Sequence, residues 1–328
     1  MTDDTSMLYP FRLSGVTKSP IWGGTRLVRD WDKQSENGTV GESWELTVRK
    51  NEKSRILNGP LAGKPLEEVI DRFGPAFIAP DYSEKTFPLL IKLIDAADRL
   101  SVQVHPDDDY AARVEHDRGK TEMWYIVDAA PGAEIICGLR PGVDRAAFAE
   151  AVRAGKIDSV MHRQPVRKGE CYFIPAGLLH AIGGGILIAE IQQNCDLTYR
   201  VYDYERRDKD GNLRPLHVEK ALDVVRPFTP EEIDTIRFSR RSDALADGEV
   251  LADCAFFRVE RLTLDGSAVT LPDFTGMRHL LCVDGSATLT CGGVSYTLAT
   301  GNDQESWLLP AGLPATLTGN ATLLVSAV

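Results

Sequence analysis

Short apolar runs, interrupted by Gly, Pro, Asn and Asp, make up most of the chain and are typical of β-strands. Strands are predicted at Leu89–Ile94, Met123–Val127, Glu134–Cys137, Tyr172–Ile174 and Ile186–Ile191. Helical periodicity is scarce, and helices are predicted at Leu66–Ile78, Asp144–Ala154, Leu216–Val225 and Pro230–Ile236. After about residue 255 the pattern is more uniformly β, with hairpin turns predicted at Asp284-Gly285 and Gly292-Gly293.

One long apolar stretch, Tyr172–Ala189, is roughly as long as a membrane helix and has one conventionally polar side chain, His180. Pro175 and the glycines at 183–185 would break any helix in this stretch. We therefore predict a buried strand, a turn and a second strand, and no association with a membrane.

A weak internal repeat relates the middle of the chain to its C-terminal part. Residues 126–138 resemble residues 282–292 with a two-residue gap, and Tyr172–Leu178 resembles Trp307–Leu313 further along. Two matches in the same order predict two copies of one β-unit, of which the first is enlarged by a helix.

The two copies differ at positions where chemistry would lie. Glu122 aligns with Arg278, and His180 aligns with Ala315. If the first copy holds a metal ion, the second copy has lost it.

The charge balance restricts the class of partner. The 328 residues include 37 Lys and Arg against 48 Asp and Glu, for a net charge of −11. This balance argues against nucleic-acid binding, which needs a basic face, so an anionic substrate requires a local basic pocket. The six cysteines form no CxxC pair and the N-terminus lacks a signal peptide, which predicts a cytoplasmic protein with reduced thiols.

Four residues form a pattern of metal ligands. Gln103 and His105 are two apart, so on a strand they share one face, and Glu122 begins the next predicted strand. His180 ends the motif Gly169-x5-Pro175-x-Gly177-x2-His180, whose spacing matches the second motif of the cupin superfamily. The first cupin motif normally reads HxH, a few residues, then Glu; here Gln103 replaces its first His, and sixteen residues separate His105 from Glu122.

The motif and the repeat together predict a mainly β fold of two cupin-type jelly-roll barrels with a few inserted α-helices. Residues 1–236 are expected to form a catalytic, metal-binding barrel with helical insertions. Residues 237–328 are expected to form a degenerate barrel without a metal.

The ligand types leave two metals open. Two imidazoles, one carboxylate and an amide oxygen suit a zinc ion that acts as a Lewis acid. His105, Glu122 and His180 alone would equally form the two-His-one-carboxylate face of a non-haem iron oxygenase. Gln103 as a fourth ligand favours zinc.

The segment 190–207 is too polar for a jelly-roll core strand. One interpretation makes it a surface strand in which Arg200 pairs with Asp203 or Asp196. The functional interpretation places Glu190, Asp196 and Arg200 near the metal, where an arginine can bind phosphate or stabilise an oxyanion. Arg206 and Arg207 taken alone read as solvated charges.

Taken together, these passages resemble the short form of the type I mannose-6-phosphate isomerase family. The passages that carry the resemblance are Trp22-Gly23-Gly24, Gly41-Glu42-Ser43-Trp44-Glu45, Leu90–Asp95, Ser101–Pro106, Lys120–Trp124, Ile174–Gly177 with His180, and Thr198–Asp203. They cover about residues 10 to 225. Two departures are the chain length, which leaves no room for the large helical domain of longer members, and Ile21, where a basic or polar residue is common.

The resemblance implies a set of site residues. It implies Zn²⁺ held by Gln103, His105, Glu122 and His180. It implies catalytic residues at Lys120, Glu190, Asp196 and Arg200. It places the phosphate contacts at Ser101 and Arg206.

The implied function is an aldose-ketose isomerase that interconverts mannose 6-phosphate and fructose 6-phosphate through an enediol. The general base is open among Lys120, Glu190, Asp196 and a zinc-bound hydroxide. The alternatives are a metal-dependent cupin oxygenase, an isomerase of another aldose, unphosphorylated ones included, and a non-catalytic sugar-phosphate-binding protein.

We expect a monomer whose partner is a small sugar phosphate. If Arg200 and Arg206 both serve the substrate, the chain must bend between them, at Asp203 to Glu205.

Overall fold

The computed structural model describes residues 8–74, 77–79, 82–84, 86–207, 210–240 and 242–328. The α-helices within these residues are α1 (Arg26–Arg29), α2 (Leu66–Phe73), α3 (Asp108–Val114), α4 (Arg145–Arg153), α5 (Val218–Val224) and α6 (Pro230–Arg237). The β-strands are β1 (Phe11–Arg12), β2 (Val16–Lys18), β3 (Glu42–Leu46), β4 (Leu89–Ala96), β5 (Val102–Val104), β6 (Glu122–Ala129), β7 (Glu134–Leu139), β8 (Met161–Pro165), β9 (Cys171–Ile174), β10 (His180–Ile182), β11 (Ile186–Gln193), β12 (Tyr199–Tyr202), β13 (Glu249–Asp253), β14 (Arg258–Asp265), β15 (Val269–Thr270), β16 (Arg278–Cys291), β17 (Val294–Ala299), β18 (Ser306–Leu309) and β19 (Ala315–Ala327).

The strands form three antiparallel sheets, which confirms the mainly β prediction. A five-stranded sheet has the order β12-β5-β10-β7-β8, and a six-stranded sheet has the order β2-β3-β4-β11-β6-β9. Chain connections from β4 to β5, β6 to β7, β8 to β9 and β10 to β11 join these two sheets into one jelly roll. The third sheet has the order β1-β18-β16-β19-β14-β13, with β15 beside β19 and β17 beside β16.

Both faces of the six-stranded sheet are buried. On β6, Trp124 and Ile126 face the interior of the jelly roll, whereas Met123 and Tyr125 pack against apolar residues of the third sheet. Strands covered on both faces read as continuous apolar runs instead of alternating ones. The stretch Tyr172–Ala189 is as apolar as a membrane helix for this reason. It consists of most of β9, all of β10 and the start of β11, with turns between them. No helix among the described residues is long and apolar enough to cross a bilayer.

Helices cover the outer face of the five-stranded sheet. Phe148 of α4 and Leu222 of α5 pack there against Val102 and Ile136. The predicted helix at 144–154 is confirmed, and the Asp144 side chain caps it by accepting a hydrogen bond from the amide of Ala147 at 2.8 Å.

The other helix predictions hold with shorter or shifted bounds. The helix predicted at Leu66–Ile78 ends at Phe73, because Gly74 adopts a positive φ of 77° and stops it; Pro75 and Ala76 lie outside the described residues. The other two predicted helices are α5 and α6. Helices α1 and α3 were not predicted, since four and seven residues are too few to show a helical period.

Strand pairing supports the repeat. In the first copy Glu122 pairs with Ile174, and in the second copy Arg278 pairs with Leu309. Each partner is the residue before Pro-Ala-Gly. Likewise His180 pairs with Cys137, and Ala315 pairs with Cys291. The residues that align in sequence therefore occupy equivalent places in the pairing of the two copies.

A buried guanidinium stands where the first copy has its carboxylate. Arg278 is buried and donates hydrogen bonds of 2.8 Å to the carbonyls of Leu245 and Pro272. Both carbonyls are acceptors that satisfy the buried guanidinium, and the absence of a metal from this copy stays a prediction.

The hairpin predicted at Asp284-Gly285 is wrong. Strand β16 runs through it to Cys291, with a bulge between Cys282 and Asp284 and a positive φ of 75° at Gly285. Its partner β19 is also long, with 13 residues against 14, so the pair bends together instead of turning back. The turn at Gly292-Gly293 is confirmed, because both glycines have positive φ and join β16 to β17.

The division at residues 236 and 237 stays a prediction. Strand β1, near the N-terminus, pairs with β18 of the C-terminal sheet. In addition, the Lys33 ammonium lies between the buried carboxylates of Glu45 and Glu305, and it reaches the partly exposed Asp303 at 3.3 Å. The N-terminal segment is thus tied to the C-terminal sheet by main-chain and by ionic contacts.

This cluster predicts a pH-dependent stability. Burial and the nearby Glu45 raise the pKa of Glu305 to about 7 from its ordinary 4.5, against the opposing effect of Lys33. The folded protein therefore binds more protons than the unfolded chain between those values, so this group lowers the free energy of unfolding as pH rises through that window. Glu305→Gln should remove this contribution.

Urea unfolding at pH 5 and pH 8 measures the effect. Relative to the unsubstituted protein, Glu305→Gln should gain stability at pH 8, on the order of 1 kcal/mol or more. An equal difference at both pH values would show that Glu305 does not titrate in this window.

Candidate active site

Three metal-ligand side chains converge inside the jelly roll. His105 follows β5, Glu122 begins β6 and His180 begins β10. The Nε2 atoms of the two histidines lie 3.1 Å apart, and they lie 3.6 Å and 3.5 Å from the carboxylate oxygens of Glu122. All three side chains are buried, and among the described residues they form the one group with metal-ligand spacing.

The electrostatics of the three residues fits a divalent cation. Burial lowers the pKa of His180 to about 4 and lowers the pKa of His105 well below its ordinary value, with Lys120 adding to the second effect. The imidazoles are therefore neutral. His180 Nδ1 donates to the Leu178 carbonyl at 2.8 Å, which leaves the Nε2 lone pair facing the site. Apart from the Lys120 ammonium at 3.1 Å, the oxygens of Glu122 have no hydrogen-bond partner among the described residues.

Gln103 lies next to this group. It pairs across strands with His180 on one side and with Arg200 on the other, so the three side chains share the inner face of the five-stranded sheet. The Gln103 amide lies 3.3 Å from His180 Nε2 and can add a fourth ligand. Ser101 is buried, and its hydroxyl lies 3.4 Å from the Gln103 amide oxygen.

The facing six-stranded sheet supplies a second polar row. The register places Lys92, Glu190 and Trp124 side by side on β4, β11 and β6. The Glu190 carboxylate lies 3.1 Å from the Lys92 ammonium and accepts a hydrogen bond from the Trp124 indole at 3.0 Å. The Trp124 ring packs edge-on against the His180 ring, with centroids 5.4 Å apart, so Glu190 is held next to the ligand group.

Lys120 and Asp196 complete the charges around the site. Lys120 is 4% exposed, and its ammonium lies 3.1 Å from Glu122. Burial lowers the pKa of Lys120, but the carboxylates of Glu122 and Glu190 outweigh burial and raise the pKa above its ordinary value. Asp196 is at the rim, with its side chain 46% exposed and 3.9 Å from Lys92.

Sequence reasoning missed Lys92, Trp44 and Glu42 as site residues. Lys92 lies 5.0 Å from the Trp44 ring, and the Trp44 indole donates to Glu42 at 2.7 Å. The sequence did contain a signal for Lys92, which is a lysine within the apolar run Leu89–Ile94. A charged side chain in a buried strand needs a partner, so it marks a polar site.

Arg200 is not paired with Asp203 or Asp196, which corrects the surface-strand interpretation. Its guanidinium donates to the Pro215 carbonyl at 2.8 Å, and its Nε is buried without a partner. Asp203 instead accepts from Arg206 at 2.5 Å and from Arg214 at 2.6 Å.

Arg206 is a largely buried, paired side chain and not a solvated charge. The side chain is 14% exposed and contacts Asp203 and Asp98. Tyr204 and Glu205 both have positive φ, so the chain bends between Arg200 and Arg206, within the predicted segment 203–205. Arg214 was missed, although the Asp210-Gly211 turn signalled a hairpin that brings it back toward Arg206.

Comparison with known proteins identifies the family of this chain. Residues 10–131 match the family described as phosphomannose isomerase type I, catalytic domain. The probable mannose-6-phosphate isomerase GmuF of Bacillus subtilis is 35% identical over 322 residues, covering 98% of this chain and 99% of the relative. The mannose-6-phosphate isomerase ManA of B. subtilis is 36% identical, with 97% and 98% covered. The chain belongs to the type I mannose-6-phosphate isomerase family.

Solved mannose-6-phosphate isomerases share the whole fold. The crystal structure of the enzyme from B. subtilis has a TM-score of 0.85 at 31% identity and covers 97% of this chain and 99% of that one. An apo phosphomannose isomerase from Salmonella typhimurium has a TM-score of 0.74 at 16% identity, covering 98% and 99%, which shows the fold alone. The predicted cupin-type fold is therefore confirmed.

The converging ligands predict a metal content of one ion per chain that depends on them. Glu122→Gln and His180→Ala should lose the metal and keep most of the fold, as measured by elemental analysis and circular dichroism. His162→Ala is the matched control, because His162 is exposed on β8 and should leave metal content unchanged. A stoichiometric ion retained by His180→Ala would contradict the assignment.

Proposed function

We propose that this protein interconverts mannose 6-phosphate and fructose 6-phosphate, using Zn²⁺ held by Gln103, His105, Glu122 and His180. The observation that carries the proposal is the buried His-Glu-His group with two neutral imidazoles, next to Gln103, in a chain about 35% identical to mannose-6-phosphate isomerases over nearly its full length. Two imidazoles, a carboxylate and an amide suit zinc. When bound, zinc would supply a Lewis acid that polarises the C1 and C2 oxygens.

Glu190 is the proposed group for moving the proton between C2 and C1. Geometry is the first requirement for a general base, and Glu190 lies inside the barrel next to the ligand group, whereas Asp196 lies at its rim. Burial would raise the pKa of Glu190, but Lys92 and Lys120 outweigh it and keep the carboxylate ionised. Lys92 and Trp124 hold the carboxylate in one orientation.

Lys120 is proposed to stabilise the enediolate that develops when the proton leaves C2. Lys120 is buried beside Glu122, so its ammonium lies at the ligand group. A catalytic role for Arg200 stays a prediction. Fixed positive groups in a site that excludes water stabilise developing negative charge without reorganisation.

Arg200, Arg206 and Arg214 are proposed to bind the phosphate. Arg206 and Arg214 pair with Asp203, and Arg200 lies within electrostatic range of all three, so cations outnumber the carboxylates Asp203 and Asp98 at this position. Two strand spacings separate Arg200 from His180, or about 10 Å, which an open-chain hexose phosphate can span. Ser101 stays a predicted phosphate contact, although its hydroxyl lies against Gln103.

A cytoplasmic location and a monomeric state stay predictions as well. The six cysteines are all unpaired, which accords with a reducing compartment.

A coupled assay with mannose 6-phosphate tests the function. Activity should be lost with a chelator and return with zinc. Oxygen consumption with bound iron and no isomerisation would favour the oxygenase. Binding of the sugar phosphate without turnover in the zinc-loaded protein would favour a binding protein.

The general base can be identified with two isosteric substitutions. Glu190→Gln should lower kcat by about 100-fold or more at a similar KM, because proton transfer to a positioned group contributes that much. Asp196→Asn is the comparison and should keep most of the turnover. The reverse order of effects would move the base to the rim.

The phosphate site predicts a split between binding and turnover. Arg214→Ala and Arg206→Ala should each raise the KM for mannose 6-phosphate about 10-fold or more, since each removes a charge-assisted hydrogen bond, with little change in kcat. Arg207→Ala is the control on the same hairpin, because Arg207 is exposed and bonds to the Gly211 carbonyl. Equal losses on unphosphorylated mannose would assign the arginines to the fold.

A further inference from the structure

A buried ionic cluster outside the active site links the jelly roll to the C-terminal sheet. The Lys33 ammonium lies 2.9 Å from Glu45 of β3 and in contact with Glu305, which precedes β18. All three side chains are at most 2% exposed. A buried cation between two carboxylates pays a large desolvation cost and is a weak way to gain stability. The geometry of its surroundings indicates another role.

Glu45 occupies a bulge in β3. Trp44 pairs with Lys92 and Leu46 pairs with Ile91, so Glu45 is the extra residue between them. Two contacts connect Glu45 to the C-terminal sheet. Its carboxylate pairs with Lys33, which contacts Glu305, and its carbonyl accepts a hydrogen bond of 2.9 Å from the Ser306 hydroxyl. Bulges re-aim neighbouring side chains and are frequent beside active sites.

The side chain next to the bulge reaches the active site. Trp44 faces the interior of the jelly roll, where its ring lies 5.0 Å from the Lys92 ammonium. Lys92 in turn lies 3.1 Å from Glu190. A continuous set of contacts therefore leads from Glu305 through the bulge to the proposed general base.

We propose that Lys33, Glu45 and Glu305 are positioning residues of the isomerase, which fix the β3 bulge so that Trp44 holds Lys92 against Glu190. On this inference, which rests on the proposed function, the C-terminal sheet is required for turnover and not only for stability. Gly15 closes over the cluster, since a Cβ there would lie 2.6 Å from the Ser43 hydroxyl and 3.0 Å from the Lys33 ammonium.

Kinetics of matched variants test the proposal. Lys33→Met should lower kcat by about 10- to 100-fold at unchanged zinc content, because small displacements of catalytic groups have effects of that size. Arg258→Met is the control: it removes a cation that pairs with two carboxylates, Asp253 and Glu260, within the C-terminal sheet. It should lower the Tm and leave kcat unchanged. Equal behaviour of the two variants would overturn the proposal.

Two further substitutions separate positioning from general damage. Glu305→Ala should lower kcat, and Glu305→Gln should restore much of it, because the amide oxygen can still accept from Lys33. If the cluster acts through Trp44, the effects of Lys33→Met and Trp44→Phe on kcat should be non-additive in a double-mutant cycle. Additive effects would contradict the inference.

Hydrogen exchange provides a readout that needs no activity. In Lys33→Met, amide protection should fall in β3 and β4 as well as near β18, whereas Arg258→Met should leave β3 and β4 protected. Loss confined to residues 301–309 would overturn the inference even if turnover falls. Failure of the unsubstituted, zinc-loaded protein to isomerise would instead overturn the proposed function, and the exchange result would still decide whether the cluster fixes β3.

Discussion

Burial of the six-stranded sheet on both faces is the constraint on which the site depends. Strands β4 and β11 are buried along their whole length, so each polar side chain that they carry needs a partner supplied by the protein. Lys92 finds Glu190, Lys120 finds Glu122, and the Trp124 indole finds Glu190. The carboxylate of Glu122 has Lys120 at 3.1 Å as its one charged partner and accepts no other hydrogen bond, so it keeps acceptor capacity that faces the two histidines. A buried carboxylate with free acceptor capacity beside two neutral imidazoles is the feature that a divalent cation would complete.

A comparison of the two copies of the β-unit shows what the candidate metal site requires of the fold. In the C-terminal copy, β16 and β19 each run unbroken past the bend. In the first copy the equivalent strands are divided, into β6 and β7 and into β10 and β11. Gly183 lies at the second division, where a Cβ would come within 2.0 Å of the Glu134 carbonyl. The division lets β10 present His180 to the five-stranded sheet while β11 presents Glu190 to the six-stranded sheet.

Sequence alone predicted the features that depend on local pattern. The strands, the helix capped by Asp144 and the ligand spacing were found because each needs only period, cap or motif. The hairpin at Asp284-Gly285 failed because a Gly with positive φ also serves a bulge, and only the pairing of β16 with β19 distinguishes the two. Lys92 and Arg214 were missed because their partners lie 98 and 11 residues away, on elements that the fold brings together.

Asp203 is the residue around which the proposed phosphate site is arranged. At a net charge of −11, long-range forces repel a sugar phosphate, so attraction has to be local. Three neighbouring arginines would repel each other and move apart. Burial would raise the pKa of Asp203, but Arg214 and Arg206 outweigh it and lower the pKa, so the carboxylate stays charged and holds both guanidinium groups in fixed positions. Asp203 cancels one positive charge, but on the proposed assignment the remaining positive charge is already in place before the substrate arrives, which lowers the entropy lost on binding.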